Sequence, residues 1–437
     1  MKKKFLCSAF VLAMVLFFVN PSMAIEDLIL FGKPLSVMGY VNQGVSWGIE
    51  GDEYDTKKGF QSAIFQFLLE GKYEVSRDLR FFGSGMLNLD WAYDINDGDD
   101  DWEARKFDQS SSELHFLSEY EDILRELHVT WTPGNWSFRL GKQVVSWGET
   151  DLIRLADQIN PLDQRRGFAD VEFESSIMPI WLAKAEYYFD VESTWLLDLG
   201  IELVFNPNAD FIPKKGPAPG NDVAGIWTPY STIPLGGPFP FDFAYFGSMQ
   251  ENFEAPDSWD SDGFEYGVRI RANILDSLIT LLYFNGVQDW PVMQMTGMAP
   301  FDFAPDSRFI AHPQVMGYYP DYEFVGFTLT RDFENLYISA LGGVAPVLRL
   351  EALYGFDSSF MTPPPPGPNV IEEHDEFRWA VGIDWKVKIP ILNPRAYFFL
   401  SGQFIHHKIT DYPSNYHLIS DGLPLQDDNY MTTIMIN

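Results

Sequence analysis

Between Thr150 and Asp170 the chain gathers seven charged residues in one segment: Asp151, Arg154, Asp157, Asp163, Arg165, Arg166 and Asp170. Charges of both signs on a short loop suit electrostatic sorting of solutes at a narrow place. Thr150 stands where a helix cap would. Leu152, Ile153, Leu155, Ala156 and Ile159 then recur at helical spacing until Asn160-Pro161 stops the pattern. A short helix with one apolar stripe needs a surface to lie on. Folding inward against a wall of strands would supply that surface and turn the charges into a constriction; the alternative is a loop lying over the rim.

Other chemistry finds little footing. Of seven histidines, only His128 falls mid-strand on the polar side of its pattern, and no serine motif accompanies it. His406 and His407 are neighbours on a strand, so their rings diverge. His115, His312, His374 and His417 show no metal spacing. Cys7, the single cysteine, lies in the N-terminal apolar run, which excludes a disulfide framework, thiol catalysis and attached haem from the rest of the chain. Asp94, Asp97, Asp99, Asp100, Asp101 and Glu103 crowd one loop, but Gly98 is out of register for an EF-hand and the closing glutamate is missing, so a solvated loop is expected. The sequence thus predicts no enzyme and no cofactor or metal.

The elements that must position the charged loop are strands. From Phe377 to Val387 every second residue is apolar (Phe377, Trp379, Val381, Ile383, Trp385, Val387), with small or charged residues between. Thirteen further segments are strand-like: 35–47, 60–75, 79–93, 123–131, 136–147, 180–189, 194–205, 264–273, 278–284, 322–330, 347–356, 395–405 and 430–436. A weaker stretch, 333–344, is a candidate for one more. Tight turns (76–78, 132–135, 190–193, 274–277) alternate with long loops (48–59, 94–122, 148–179, 206–262, 286–321, 357–376). Short turns at one end and long loops at the other are how outer-membrane barrels are built. The expected fold is therefore all-β: an antiparallel transmembrane outer-membrane β-barrel of about 14 strands. Trp131 and Trp136 at one end, and Trp47, Trp91 and Trp147 at the other, read as two interfacial belts. Pro363 to Pro366 reads as a stiff loop strut.

The polar positions of the strands then face the lumen: Glu126, Arg139, Lys184, Glu186, Asp198, Glu202, Glu265, Arg269, Arg271, Arg349, Glu351, Arg378, Asp384 and Lys386. Charges this numerous are tolerated only if wet or paired. Lys142 breaks the alternation and suggests a bulge or a strand end there.

Met1 to Lys4, the apolar run from Phe5 to Val19 and the small residues Ser22-Met23-Ala24 have the form of a secretory signal peptide cut after Ala24, leaving residues 25–437 as a single barrel domain. No later apolar run reaches the roughly 18 residues of a membrane helix. The net charge of −32 argues against nucleic acid as a partner. The expected partners are outer-membrane lipid and lipopolysaccharide, the barrel assembly machinery, and a periplasmic or inner-membrane transport component.

Arg139-Leu-Gly-Lys-Gln143-Val-Val-Ser-Trp147-Gly148-Glu149, followed by Asn160-Pro161-Leu162-Asp163, resembles the signature of the domain of unknown function 1302 family of proteobacterial outer-membrane proteins. Leu124 to Val129 and Val347 to Ala352 resemble two further strands of that family. The resemblance is close over 124–189 and loose over most of the chain. It implies a membrane barrel associated with export or uptake of hydrophobic compounds, and brings no catalytic residue. One departure is that the last strand ends Met435-Ile436-Asn437, without the terminal aromatic usual in such barrels. The functional expectation is a porin-like channel or transporter for a small solute. The alternative is a non-conducting scaffold or sleeve for a periplasmic or surface partner.

Overall fold

A computed structural model describes residues 23–48, 59–98, 111, 115–116, 118–150, 154–163, 176–213, 232–234, 241–244, 250–303, 309–363, 370–420 and 423–436. The chain forms two compact units, one built mainly from residues 1–130 and the other mainly from residues 131–437.

The first unit carries β1 (Met23–Leu30), β2 (Lys33–Gln43), β3 (Ile64–Glu74), β4 (Leu79–Asp90) and β5 (Leu124–Trp131). β1 to β4 form an antiparallel meander, each strand pairing with the next. β5 reaches β4 through the Glu126 amide, which donates to Ser84 Oγ at 3.1 Å. Alternation sorts the residues as period two demands: Gln66, Ser84 and Met86 are buried while Leu69 and Phe81 are exposed. β1 is the wall strand the sequence pattern missed, because its first two residues, Met23 and Ala24, read as part of the signal-peptide cleavage site. Residues 1–22 lie outside the described part, as do Asp99, Asp100, Asp101 and Glu103 of the acidic loop.

The second unit carries β6 (Trp136–Gln143), β7 (Ile180–Tyr188), β8 (Leu196–Asn206), β9 (Glu265–Ile274), β10 (Ser277–Val287), β11 (Asp321–Asp332), β12 (Val347–Met361), β13 (Ile371–Val387), β14 (Phe398–Ile409) and β15 (Asp428–Ile436). All ten pair antiparallel in chain order. The β9–β10 connection is a two-residue turn with both central residues left-handed, Leu275 at φ 49 and Asp276 at φ 63. This is the twist that matches the flanking strands. β12 and β13 run to 15 and 17 residues, longer than the ~9–11 a tilted strand needs to cross a bilayer. They convert both ends of the expected loop 357–376 into a projecting hairpin; Pro364 to Pro366 fall outside the described residues.

Several expectations need correction. Residues 333–344 hold two 3-10 turns, Glu334–Leu336 and Ser339–Leu341, with no strand. Of the two readings at Lys142, the bulge is wrong and the strand end holds: the β6–β7 register runs unbroken from Trp136↔Tyr187 to Gln143↔Ile180, where β6 stops one residue past Lys142. The irregularity is at Gly141, φ 134, and Lys142 is fully buried. A bulge does interrupt β8 between Leu197 and Gly200, with Asp198 left-handed at φ 50 and exposed. The two longest loops are not structureless either. Segments of 206–262 and 286–321 together form a five-stranded sheet in which Phe309–Tyr318 pairs in parallel with Phe241–Ala244 and with Gln250–Glu254.

In this second unit the usual relation of apolar and polar faces is reversed. Leu140, Leu203, Ile270, Leu281, Val325 and Ile383 are exposed, while Glu202, Glu351 and Glu376 are buried on the opposite face. A water-soluble sheet would expose the second set and cover the first. Lipid outside and a polar interior account for both.

A charged inner face crossed by a strap

Residues 144–150, which leave the end of β6, and residues 154–163 fold onto the inner face of their own unit and form a strap. The sequence pattern carries the strand on to Trp147, but hydrogen-bonded pairing stops at Gln143. Trp147 is only 1% exposed, and packs with Val145, Ala156 and Ile159 against Leu182, Val204, Phe284, Phe324 and Leu353 of the wall. The belt reading of Trp147 is therefore wrong. A tryptophan at a strand end beside a loop looks the same in sequence whether its ring faces lipid or turns inward. Trp131, Trp136 and Trp47 are exposed, as a belt requires.

The expected helix is absent from residues 154–160, which form bends; Asp151, Leu152 and Ile153 lie outside the described residues. Side chains of this segment instead hydrogen-bond the backbone on either side of it. Asn160 Oδ1 accepts from the Val145 amide at 2.7 Å, and its Nδ2 donates to the carbonyls of Gln143 at 3.1 Å and Met178 at 2.9 Å. Asp157 accepts from the Trp147 amide at 3.0 Å through one oxygen and from Arg154 Nε at 3.1 Å through the other. Arg154 also donates to the Asn160 carbonyl at 2.7 Å. Asp163 meets the returning chain by donating its amide to the Ser176 carbonyl at 2.7 Å. Arg165, Arg166 and Asp170 lie outside the described residues.

Two clusters of wall residues hold this strap. On β7, β8 and β9, Glu202 accepts from Trp147 Nε1 at 2.6 Å, Lys184 Nζ at 3.2 Å and Arg269 at 3.0 Å. Arg269 also donates to the Ser146 carbonyl at 3.0 Å. Glu186 joins through Lys184 at 3.3 Å. On β12 and β13, Glu351 is fully buried and accepts from the amides of Glu149, Thr150 (2.6 Å) and Ala156 (3.2 Å). Arg349 donates to the Glu149 carbonyl and pairs with Asp384 at 2.6 Å. A buried carboxylate that accepts three amides, beside an arginine on the adjoining carbonyl, fixes a backbone by charge-assisted bonds. Gly148 is required here, since a Cβ would stand 2.9 Å from Asp157 Cβ and 3.3 Å from Glu351.

The structure thus brings Lys184, Glu186, Glu202, Arg269, Arg349, Glu351, Asp384, Arg154 and Asp157 into two groups around one strap. It places other expected residues elsewhere. Arg378 is in a third cluster nearer the long-loop end, bonded to buried Glu376, which also contacts His407 at 2.7 Å and Ser358 at 3.1 Å. Glu265 accepts from Asn206 at 2.7 Å and from the Val287 amide at 3.2 Å, at the long-loop end of the wall. Lys386 is exposed near the short-turn end of β13, and Glu126 is in the first unit, 3.8 Å from His128. Asn160 and Glu376 were missed. Asn160-Pro161 reads as a helix stop, and Glu376 precedes the clear alternation of β13.

Exposed apolar residues on one face of a long antiparallel meander, and paired charges crossed by a strap on the other, define an outer-membrane β-barrel of porin-like fold. The chain belongs to the family described as Protein of unknown function (DUF1302), whose sequence profile matches residues 19–433. No curated protein matches it by sequence. Similar solved structures include a loop L8 deletion mutant of OmpT from Vibrio cholerae (8% identity, 86% of this chain and 83% of that one, TM-score 0.36). Others are Salmonella typhi OmpF in complex with daunomycin (9%, 95% and 99%, 0.36) and an anion-selective porin from Comamonas acidovorans (12%, 92% and 98%, 0.32).

Proposed function

We propose that this protein is a channel of the outer membrane through which a small solute diffuses, narrowed from within by the strap of residues 144–150 and 154–163. The observation that supports it most is the strap itself: the Trp147 indole is bonded to Glu202 on β8, and its backbone to Arg269 on β9 and to Glu351 and Arg349 on β12 of one wall. Such a segment takes up part of the inner space and lines what remains with polar groups of both signs, the arrangement that gives pores their selectivity. The reading includes secretion with removal of residues 1–24, assembly by the barrel machinery, contact with lipopolysaccharide and no catalytic step.

The test is planar-bilayer conductance of the mature chain, after refolding in detergent and a check for heat-modifiable gel migration. Discrete conductance steps are the expected result. Folded protein that inserts without steps would overturn the channel reading and favour the non-conducting sleeve.

A further inference from the structure

Four cations and two carboxylates meet on the inner face of β6 to β9 toward the short-turn end. Arg139 stands opposite Lys184 in the β6–β7 ladder. Lys184 contacts both Glu186 and Glu202, Arg269 contacts Glu202, and Arg271 lies 3.9 Å from Glu186. Glu202, Glu186, Lys184 and Arg269 are all covered, their side chains 4%, 13%, 12% and 14% exposed, whereas Arg271 is 35% exposed. Glu202 is already occupied by Trp147, Lys184 and Arg269. Positive charge is therefore in excess, and the most accessible of the pairing cations carries it outward.

Arg271 is also presented for a ligand. Its guanidinium lies 5.3 Å over the Tyr188 ring, and one nitrogen donates to the phenol oxygen at 2.6 Å. Gly200, directly opposite both residues in the ladders, leaves the room: a Cβ there would sit 3.4 Å from the Tyr188 ring. A guanidinium fork beside a hydroxyl and an aromatic ring suits a carboxylate attached to an apolar body. Asp190, Glu192 and Asp198, in and near the turn beyond Tyr188, are exposed, where salt screens their field.

We infer that Arg271, with Tyr188 and the Lys184–Arg269 pair behind it, is a binding step for small organic carboxylates, giving this channel an anion preference despite a chain charge of −32. The inference rests on the channel reading for its physiological meaning, but the binding step is measurable without it.

Benzoate is the probe, titrated calorimetrically into the refolded full-length mature barrel; reversal potentials are read separately in a KCl gradient. Chloride should be the more permeant ion. Arg271→Ala should weaken benzoate roughly tenfold, the loss of one charge-assisted hydrogen bond, and Tyr188→Phe by a smaller factor. If Arg271→Ala fails to show heat-modifiable migration, Arg271→Gln and Tyr188→Phe take its place. Benzoate affinity indifferent to these substitutions, or a wild-type preference for potassium, overturns the inference. Benzoate bound through Arg271 by a barrel without conductance steps sinks the channel and leaves the site. Steps with no Arg271 dependence do the reverse.

Discussion

At the scale of single residues, the strap depends on two side chains that act on backbone. Asn160 is fully buried and serves one amide and two carbonyls. Asn160→Ala leaves all three unserved, and each buried polar group left unpaired costs about 1–3 kcal/mol. A clear fall in the urea midpoint of the vesicle-inserted protein is expected, and an unchanged midpoint would show that the strap contributes little to the fold. Glu351 makes a sharper case, because its removal frees three amides without touching the outer face. Glu351→Ala should loosen the strap while the wall stays paired. Maleimide labelling of Gln158→Cys, slow in the native background, should become faster by up to about a hundredfold, consistent with loss of a bond network worth about 3 kcal/mol. Equal labelling rates in both backgrounds would count against Glu351 as the anchor.

At the scale of elements, the wall was legible because its signal is period two, repeated. Each of the fourteen segments read from alternation corresponds to a wall strand, most within a few residues at each end. What sequence could not show was the direction a segment takes once pairing ends. Val145, Trp147, Ala156 and Ile159 are apolar whether a helix, a lipid belt or an inward strap uses them. The choice falls to partners 50 to 200 residues away, such as Glu202 and Glu351. The charged residues of the wall were identifiable one by one, but their grouping follows from ladder register, which a list of alternating positions does not contain. Turns are a local matter, and one is improvable. Leu275 and Asp276 both occupy left-handed backbone, which suits Asn-Gly far better than Leu-Asp. Replacing the pair by Asn-Gly should raise stability by about 1 kcal/mol, seen as a higher urea midpoint with conductance unaffected. A lower midpoint would mean that Leu275, which is exposed, is anchored in lipid or headgroups.

At the scale of the molecule, the solvent decides which face is stable. Leu281, 54% exposed near the middle of β10, is flanked across the ladders by Ile270 and Phe327. In water such a patch would be a liability. In a bilayer it is the stabilising surface, and Leu281→Arg there would cost about 2–4 kcal/mol if the position lies near the midplane. The same substitution would be nearly free in a soluble sheet, since Arg covers apolar neighbours with its stem and keeps its charge in water. Urea unfolding of wild type and variant in lipid vesicles distinguishes the two environments. A large loss of stability confined to vesicles, with little change in a short-chain detergent that lets the guanidinium reach water, is expected of a membrane wall. Equal and small effects in both media would mean that the apolar face of β6–β15 meets another protein surface instead of lipid. The inner-face charges would then need a different source of water, and the channel would lose its physical basis along with the membrane.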